Sequence, residues 1–152
     1  MSAFAERASL VIDADSGAVL YAKNARLQSF PASLTKLMTV YLIFDAIESK
    51  QLTLADKLHV SAAAARMPKV RLGLKQGQTI TLQEVMLAMI VRSANDAAVV
   101  AAERMAGSEP AFANLMNAKT KTLGMSDTVF HNSSGLPHPG QITSARDMAI
   151  LA

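Results

Sequence analysis

The sequence lacks cysteine and tryptophan, and aromatic residues make up only 5% of its 152 residues. The absence of cysteine excludes disulfide bonds and thiol catalysis, although it does not fix the cellular compartment. The chain also lacks a large excess of charge of one sign: its 15 basic and 12 acidic residues are well mixed and leave a net charge of +3. With no stripe of basic and aromatic residues, the chain is not predicted to bind nucleic acid.

Long apolar runs are missing as well. No span of 18 or more uncharged apolar residues occurs, so no transmembrane helix is predicted. The first ten residues, MSAFAERASL, have neither the basic start nor the apolar centre of a secretory signal peptide. Hydrophobic residues nevertheless make up 51% of the chain, which predicts one globular domain with a substantial core.

Two short apolar runs near the N-terminus predict a β-hairpin. Residues 8–13 and 18–23 contain β-branched and aromatic members, and residues 14–17, ADSG, separate them with a turn signal. A lone hairpin is marginally stable in water unless further strands or a helix cover it. We therefore expect more of the sheet than this chain supplies.

The rest of the chain, from about residue 50 to residue 152, is predicted to be mainly helical. Thr81 with Glu84, and Ser144 with Asp147, are spaced as capping boxes. The predicted helices span residues 33–48, 61–67, 82–92, 97–106 and 108–124, with a last one from residue 144. Residues 52–60 are predicted to be irregular or extended, and residues 132–140 to form a turn-rich loop. The last helix has no C-terminal cap, which again favours a chain that is part of a larger domain.

The helix predicted over residues 33–48 carries a lysine, Lys36, close to its start, and residues 37–44 have no charge. A cation is misplaced at a helix N-terminus and is costly among apolar groups. Ser33 lies three residues earlier, on the same helix face. Burial and the helix end both lower a lysine pKa, and a neutral lysine can take the proton of a serine nucleophile. We therefore expect a Ser33 nucleophile beside a Lys36 base of depressed pKa.

Structural interpretations of these residues compete with the catalytic one. Ser33 could be an N-cap, and Lys36 a surface residue whose charged end reaches solvent. Ser93 and Asn95 lie at a predicted break between two helices, where side chains project into a cleft but where capping is also common. Taken singly, each motif is explained by helix capping.

The motifs taken together indicate a family. Ser-x-x-Lys and Ser-x-Asn, with Lys-Thr-Gly, mark penicillin-binding proteins and class A β-lactamases. Residues 8–152 resemble the low-molecular-mass D-alanyl-D-alanine carboxypeptidases. The blocks that carry this resemblance are ASLVIDADSGAVLYAKNA, FPASLTKLMT, LGLKQGQTIT, VRSANDAAVVAAERMAGS, FANLMNAKTKTLGM and SSGLPHPGQITSARDMAILA. The resemblance implies an α+β fold of the DD-peptidase and β-lactamase type, whose antiparallel sheet is represented here by its N-terminal hairpin.

The resemblance also implies a role for each matching residue. Ser33 would be the acylated nucleophile, Lys36 its general base, Ser93 a proton relay to the leaving D-alanine, and Asn95 a ligand of the substrate's amide backbone. The implied substrate is the D-Ala-D-Ala end of a peptidoglycan stem peptide, and penicillins mimic it. No metal or cofactor is implied. The implied location is the periplasm or the outer face of the bacterial cytoplasmic membrane.

One element of the family pattern is missing, and it leaves alternatives open. Lys-Thr-Gly does not occur in the chain; the near match at residues 121–124, KTLG, closes a predicted helix. The chain is then the N-terminal part of a catalytic domain that a missing segment or a second chain completes, or an inactive piece. A DD-endopeptidase would share all the motifs present. A class A β-lactamase would need a Glu-x-x-Leu-Asn string, which is absent. His59, His131 and His138 have no metal-ligand spacing and are predicted to be structural or exposed.

Overall fold

A hairpin opens the part of the chain that the computed structural model describes, which is residues 7–152. The first six residues, including the start of the segment tested for a signal peptide, lie outside it. Strands β1 (Ser9–Ile12) and β2 (Val19–Lys23) pair antiparallel, as predicted. The Asp13 carboxylate closes the turn by accepting hydrogen bonds from the backbone N–H (2.8 Å) and the hydroxyl (2.5 Å) of Ser16.

Six α-helices follow the hairpin within the described residues. They are α1 (Thr35–Glu48), α2 (Ala62–Ala65), α3 (Leu82–Arg92), α4 (Asn95–Ala106), α5 (Glu109–Leu123) and α6 (Ala145–Leu151). The predicted helices are confirmed, with small shifts at their ends. The first begins as a tighter 3-10 turn over Ala32–Leu34, so Ser33 precedes α1 instead of opening it. Within residues 7–152, none of the helices combines the length and the apolar character that crossing a bilayer requires.

One predicted capping box is confirmed and the other is half wrong. Thr81 Oγ1 accepts from the Glu84 N–H at 3.2 Å, and Glu84 Oε2 accepts from the Thr81 N–H at 2.8 Å. Ser144 Oγ likewise accepts from the Asp147 N–H at 3.2 Å. The Asp147 carboxylate does not reach back, because its Oδ2 accepts instead from the N–H of Asp127 (2.7 Å) and the hydroxyl of Thr128 (2.8 Å).

A second two-stranded ladder pairs part of residues 52–60, predicted to be irregular or extended, with the three residues before α3. Strands β3 (Lys57–His59) and β4 (Thr79–Thr81) pair antiparallel, with Leu58 opposite Ile80. Each strand buries only its central residue, with Leu58 1% and Ile80 7% exposed. Three residues with one inward side chain give too short an alternation to recognise in a sequence.

Helix α4 lies at the centre of the core, in contact with α1, α2, α3, α5 and β3. Four of its alanines, Ala97, Ala98, Ala101 and Ala102, are completely buried. Small side chains let neighbouring helices approach closely and still pack without voids. This packing sets the start of α4, and therefore Asn95, against the start of α1.

Candidate active site

The backbone that carries Ser33 is held in place by a glycine from a distant loop. Ala32, the residue before Ser33, has φ +47°, and Gly135 has φ +87°. A Cβ on Gly135 would lie 1.8 Å from the Ala32 carbonyl oxygen and 3.1 Å from the Ser33 nitrogen. Only glycine fits this contact. The contact packs residues 132–140, here called the 132–140 loop, against the 3-10 turn Ala32–Leu34, here called the nucleophile turn.

The Ser33 side chain is exposed and does not cap the helix. Neither the 3-10 turn nor α1 has a side-chain N-cap hydrogen bond. The N-cap interpretation of Ser33 is therefore wrong. The hydroxyl is instead available to a ligand at the surface of a cleft.

Lys36 is buried, with only 4% of its surface exposed. Its Nζ donates hydrogen bonds to Asn95 Oδ1 at 2.9 Å and to the Ser134 carbonyl at 2.6 Å. The surface interpretation of Lys36 is therefore wrong. Burial lowers the pKa of Lys36 to about 8, because a charged amine loses its hydration there. The predicted direction of the shift is confirmed, and a largely neutral amine in the complete site stays a prediction.

The turn between α3 and α4 supplies the next two predicted residues. Ser93 ends α3 with φ +53°, and Ala94 takes the N-cap position of α4 without a side-chain bond. Neither Ser93 nor Asn95 is therefore an N-cap, although Ser93 takes the C-cap position of α3, where its backbone N–H donates to the Met89 carbonyl. Asn95 instead divides its amide between two neighbours: Oδ1 accepts from Lys36, and Nδ2 donates to the Pro68 carbonyl at 3.3 Å.

A cleft of about 510 Å³ brings the predicted residues together. Ser33, Lys36 and Ser93 line it, and Asn95 meets Lys36 at its inner side. The rest of the lining is mainly apolar: Pro31, Ala32, Leu34, Leu37, Val40, Met89 and Ile90. An apolar wall beside a buried amine favours its neutral form, which is the form a general base requires.

Sequence reasoning missed the contribution of the 132–140 loop, which it treated only as a turn. The Ser133 carbonyl accepts from the Thr39 hydroxyl at 2.8 Å, and the Ser134 carbonyl accepts from Lys36. On the other side, Glu109 Oε1 accepts from both the backbone N–H and the hydroxyl of Ser133. These partners are 94, 98 and 24 positions apart in the chain, so no local pattern signals them.

The histidines take no part in this cleft. His131 and His138 are exposed, as predicted, and their rings stack on each other with centroids 3.9 Å apart. Among residues 7–152, no three His, Cys, Asp or Glu side chains are arranged to hold a metal ion.

The profile of the D-alanyl-D-alanine carboxypeptidases, peptidase family S11, matches residues 2–152. The chain belongs to this family. It is 40% identical over 146 residues to the D-alanyl-D-alanine carboxypeptidase DacF of Bacillus subtilis, covering 96% of this chain and 38% of DacF. The chain therefore spans less than two fifths of that relative's length.

Two solved structures place the fold in the same group. The D-alanyl-D-alanine carboxypeptidase DacD of Francisella tularensis superposes with a TM-score of 0.93 at 35% identity, covering 95% of this chain and 35% of that one. Penicillin-binding protein D2 of Listeria monocytogenes, in its ampicillin-bound form, superposes with a TM-score of 0.83 at 34% identity, covering 95% and 58%. The predicted α+β fold of the DD-peptidase type is confirmed.

The near match KTLG ends α5, with Gly124 in the left-handed conformation, and is therefore not a strand.

Proposed function

We propose that this chain is the N-terminal part of the catalytic domain of a serine D-alanyl-D-alanine carboxypeptidase. The observation that carries the proposal is the buried Lys36 amine, bonded to Asn95 and sharing one cleft with the exposed Ser33 hydroxyl. A serine is a weak nucleophile until a base takes its proton. In this cleft the group placed for that task is an amine whose pKa is lowered to about 8.

The proposed reaction begins with acylation of Ser33. Neutral Lys36 accepts the hydroxyl proton while Ser33 Oγ attacks the carbonyl carbon of the penultimate D-alanine. The tetrahedral intermediate then collapses, the peptide C–N bond breaks, and the amine of the terminal D-alanine takes a proton relayed through Ser93. The product is an ester on Ser33. Water hydrolyses this ester and returns the proton to the serine oxygen.

The surrounding groups stabilise this sequence of steps. The Ser33 N–H lies at the start of the helical turn, where it is placed to donate to the developing oxyanion. Asn95 holds the Lys36 amine through its Oδ1. The resemblance of the Ser-x-Asn motif to that of the family assigns the Asn95 amide a further hydrogen bond to the peptide backbone of the substrate. The apolar wall keeps competing water away from the amine.

β-Lactam antibiotics would be attacked by the same serine. The hydroxyl adds to the lactam carbonyl and the C–N bond opens, but the amine stays tethered, so no product departs. The ampicillin-bound form of the Listeria monocytogenes relative supports this part of the proposal.

The substrate in the cell would be the D-Ala-D-Ala end of a peptidoglycan stem peptide, which places the enzyme in the periplasm or at the outer face of the cytoplasmic membrane. A strand bearing Lys-Thr-Gly, absent from these 152 residues, would come from a further segment of the domain or from a second chain. The coverage of 38% of DacF supports a larger domain.

The test is to label the natural protein that contains these residues with a fluorescent penicillin and to map the labelled peptide. We expect the adduct on the peptide that contains PASLTK, and no label on Ser33→Ala. Ser9→Ala, which changes an exposed serine in β1, is the control and should label normally. Label that persists in Ser33→Ala would overturn the assignment. Release of D-alanine from a pentapeptide, compared with cleavage of a cross-linked peptide dimer, distinguishes a carboxypeptidase from an endopeptidase.

A further inference from the structure

The carboxylate of Asp96 is completely buried and holds three consecutive backbone N–H groups. Its Oδ1 accepts from Leu72 at 2.9 Å, and its Oδ2 accepts from Gly73 at 2.8 Å and from Leu74 at 3.0 Å. Hydrogen bonds from backbone N–H groups to an ionised carboxylate are among the stronger ones in proteins. Asp96 therefore anchors one end of residues 68–74, here called the strap.

The other end of the strap contacts the neighbouring residue, Asn95. The Asn95 N–H donates to the Val70 carbonyl at 2.8 Å, and its side-chain Nδ2 donates to the Pro68 carbonyl at 3.3 Å. Two adjacent residues in the first turn of α4 thus contact both ends of the strap. The strap in turn supplies the acceptor that fixes the Asn95 amide.

Outside α4, the strap contacts the end of α2, where the Arg71 guanidinium donates to the Ala65 carbonyl at 3.3 Å and to the Met67 carbonyl at 3.2 Å. The rest of the strap lies at the surface. It has no helix or strand, and every residue from 68 to 73 is exposed, so burial in the core contributes little to its position. Leu74 is the one buried side chain, at its far end. The Asp96 carboxylate is consequently the main anchor between the strap and α4.

The orientation of the Asn95 amide determines which of its two polar atoms faces the Lys36 amine. An asparagine amide presents an acceptor oxygen on one side and a donor NH₂ on the other. With Nδ2 directed to Pro68, Oδ1 faces the Lys36 amine at 2.9 Å. A reversed amide would set N–H groups against the amine and displace it from its position in the cleft that it shares with Ser33.

We propose that Asp96 is a positioning residue of the active site: by anchoring the strap it fixes the Asn95 amide, and through that amide it places the Lys36 base. This inference rests on the proposed function, since it assigns the role of a further residue in the same acylation step. Asp96 touches neither substrate nor the reacting atoms. Its effect is transmitted through the strap and Asn95.

The decisive variant is Asp96→Asn in the natural protein that contains these residues. It keeps the size of the side chain but removes the charge and one of the two acceptor oxygens. The matched control is Asp147→Asn. Asp147 is equally buried and also accepts a hydrogen bond from a backbone N–H, but it lies in α6 and its donor is Asp127, outside the strap. For each variant, the rate constant of Ser33 acylation at saturating penicillin is measured across pH, together with the dissociation constant and the melting temperature.

We expect Asp96→Asn to lower the acylation rate constant by about tenfold or more, since misplacement of a catalytic group by about 1 Å can cost on the order of a hundredfold. We also expect the inflection of its pH profile to move upward, because a loosened strap admits water to the Lys36 amine. Asp147→Asn should lower the melting temperature while its rate constant and inflection stay within about twofold of wild type. Hydrogen exchange should show the amides of Leu72, Gly73 and Leu74 opening in Asp96→Asn only.

Two outcomes would overturn the inference: an unchanged rate and pH profile in folded Asp96→Asn, or an equal loss of rate in Asp147→Asn. If Asp96→Asn does not fold, Leu72→Pro is the second variant, because it removes one of the three N–H donors from the exposed strap and leaves the carboxylate intact. Leu72→Pro should also slow acylation. A wild-type acylation rate in this variant would count against the role of Asp96. Wild-type protein that is not acylated on Ser33 would refute the proposed function instead, so the two failures are distinguishable.

Discussion

Lys36 Nζ lies 2.9 Å from Asn95 Oδ1, although 59 positions separate the two residues in the chain. The contact joins the first turns of α1 and α4 next to the cleft that Ser33, Lys36 and Ser93 line. It brings together the buried members of the Ser-x-x-Lys and Ser-x-Asn motifs, each of which is ambiguous in the sequence. The amine it holds is the group on which the proposed acylation depends.

The first prediction concerns the chemical identity of the base. Lys36→Arg should abolish acylation of Ser33, because a guanidinium stays protonated at any working pH and cannot accept the serine proton. Labelling with a fluorescent penicillin measures the loss. Lys121→Arg, a change in the last turn of α5, is the matched control and should leave labelling unchanged. Acylation of Lys36→Arg at a near-normal rate would mean that another group deprotonates Ser33.

The second prediction is the pH dependence of acylation. A group of pKa about 8 is protonated below that pH, so the rate constant should rise about tenfold per pH unit up to pH 8 and level off above it. Stopped-flow measurement of acylation between pH 5.5 and about 9.5 gives the profile. A rate that is flat from pH 6 to about 9 would show that the amine of Lys36 is not the titrating base.

The lowered pKa of Lys36 also makes the free energy of unfolding depend on pH. Burial places the folded-state pKa of Lys36 below its unfolded value of 10.5. Between about pH 8 and 10.5 the unfolded chain binds the proton and the folded chain does not, so the contribution of Lys36 to the free energy of unfolding rises with pH there. Urea unfolding of wild type and Lys36→Met across this window should give a difference that changes in this direction.

The third prediction tests the contact between Gly135 and Ala32. Gly135→Ala should destabilise the fold by about 3 kcal/mol, because the new Cβ collides with backbone in addition to the cost of a positive φ. Acylation should fall as well, since the displaced backbone carries Ser33. The matched control is Gly124→Ala, which has a similar φ of +76° but nothing within 4 Å of the added Cβ.

The control separates the two contributions. Gly124→Ala should cost about 1 kcal/mol, from the backbone conformation alone, and leave acylation unchanged. Thermal or urea unfolding gives the stabilities, and penicillin labelling gives the rates. Equal effects of the two substitutions would mean that the 132–140 loop does not brace the nucleophile turn.

The sequence predicted those parts of the site that are local in the chain. Ser33 and Lys36 are three positions apart, and the apolar run after them predicts both the helix and the burial of the amine. The hairpin and the capping box of Thr81 and Glu84 were predictable for the same reason, since their partners are close in sequence.

The parts that could not be predicted are long-range or carried by the backbone. Lys36 meets the Ser134 carbonyl across 98 positions, and any residue type provides a carbonyl. Asp96 follows Asn95 directly, and aspartate is a residue type common at helix N-caps. Its carboxylate nevertheless accepts hydrogen bonds from the backbone of residues 72–74, which lie 22 to 24 positions earlier. Tertiary packing, not local preference, decides such contacts.

The fourth prediction is that residues 1–152, prepared alone, show little or no D-alanine release. The chain contains Ser-x-x-Lys and Ser-x-Asn but no Lys-Thr-Gly, which in the proposed enzyme lies on a strand that binds the substrate carboxylate and adds an oxyanion donor. Loss of one such donor alone costs about 10²–10³ in rate. The hairpin also exposes Val19, Leu20 and Tyr21 at 61%, 66% and 51%, as expected where residues 7–152 give this sheet only two strands.

The measurement compares D-alanine release from a D-Ala-D-Ala pentapeptide by the isolated 152 residues and by the protein as it occurs in the cell. Circular dichroism first establishes whether the helices of the isolated chain form, so that loss of turnover is not mistaken for loss of fold. The Ser33→Ala variant of the cellular protein sets the background rate. If the isolated residues turn over substrate as fast as the cellular protein, then Ser33, Lys36, Ser93 and Asn95 suffice, and no Lys-Thr-Gly strand is needed beside them.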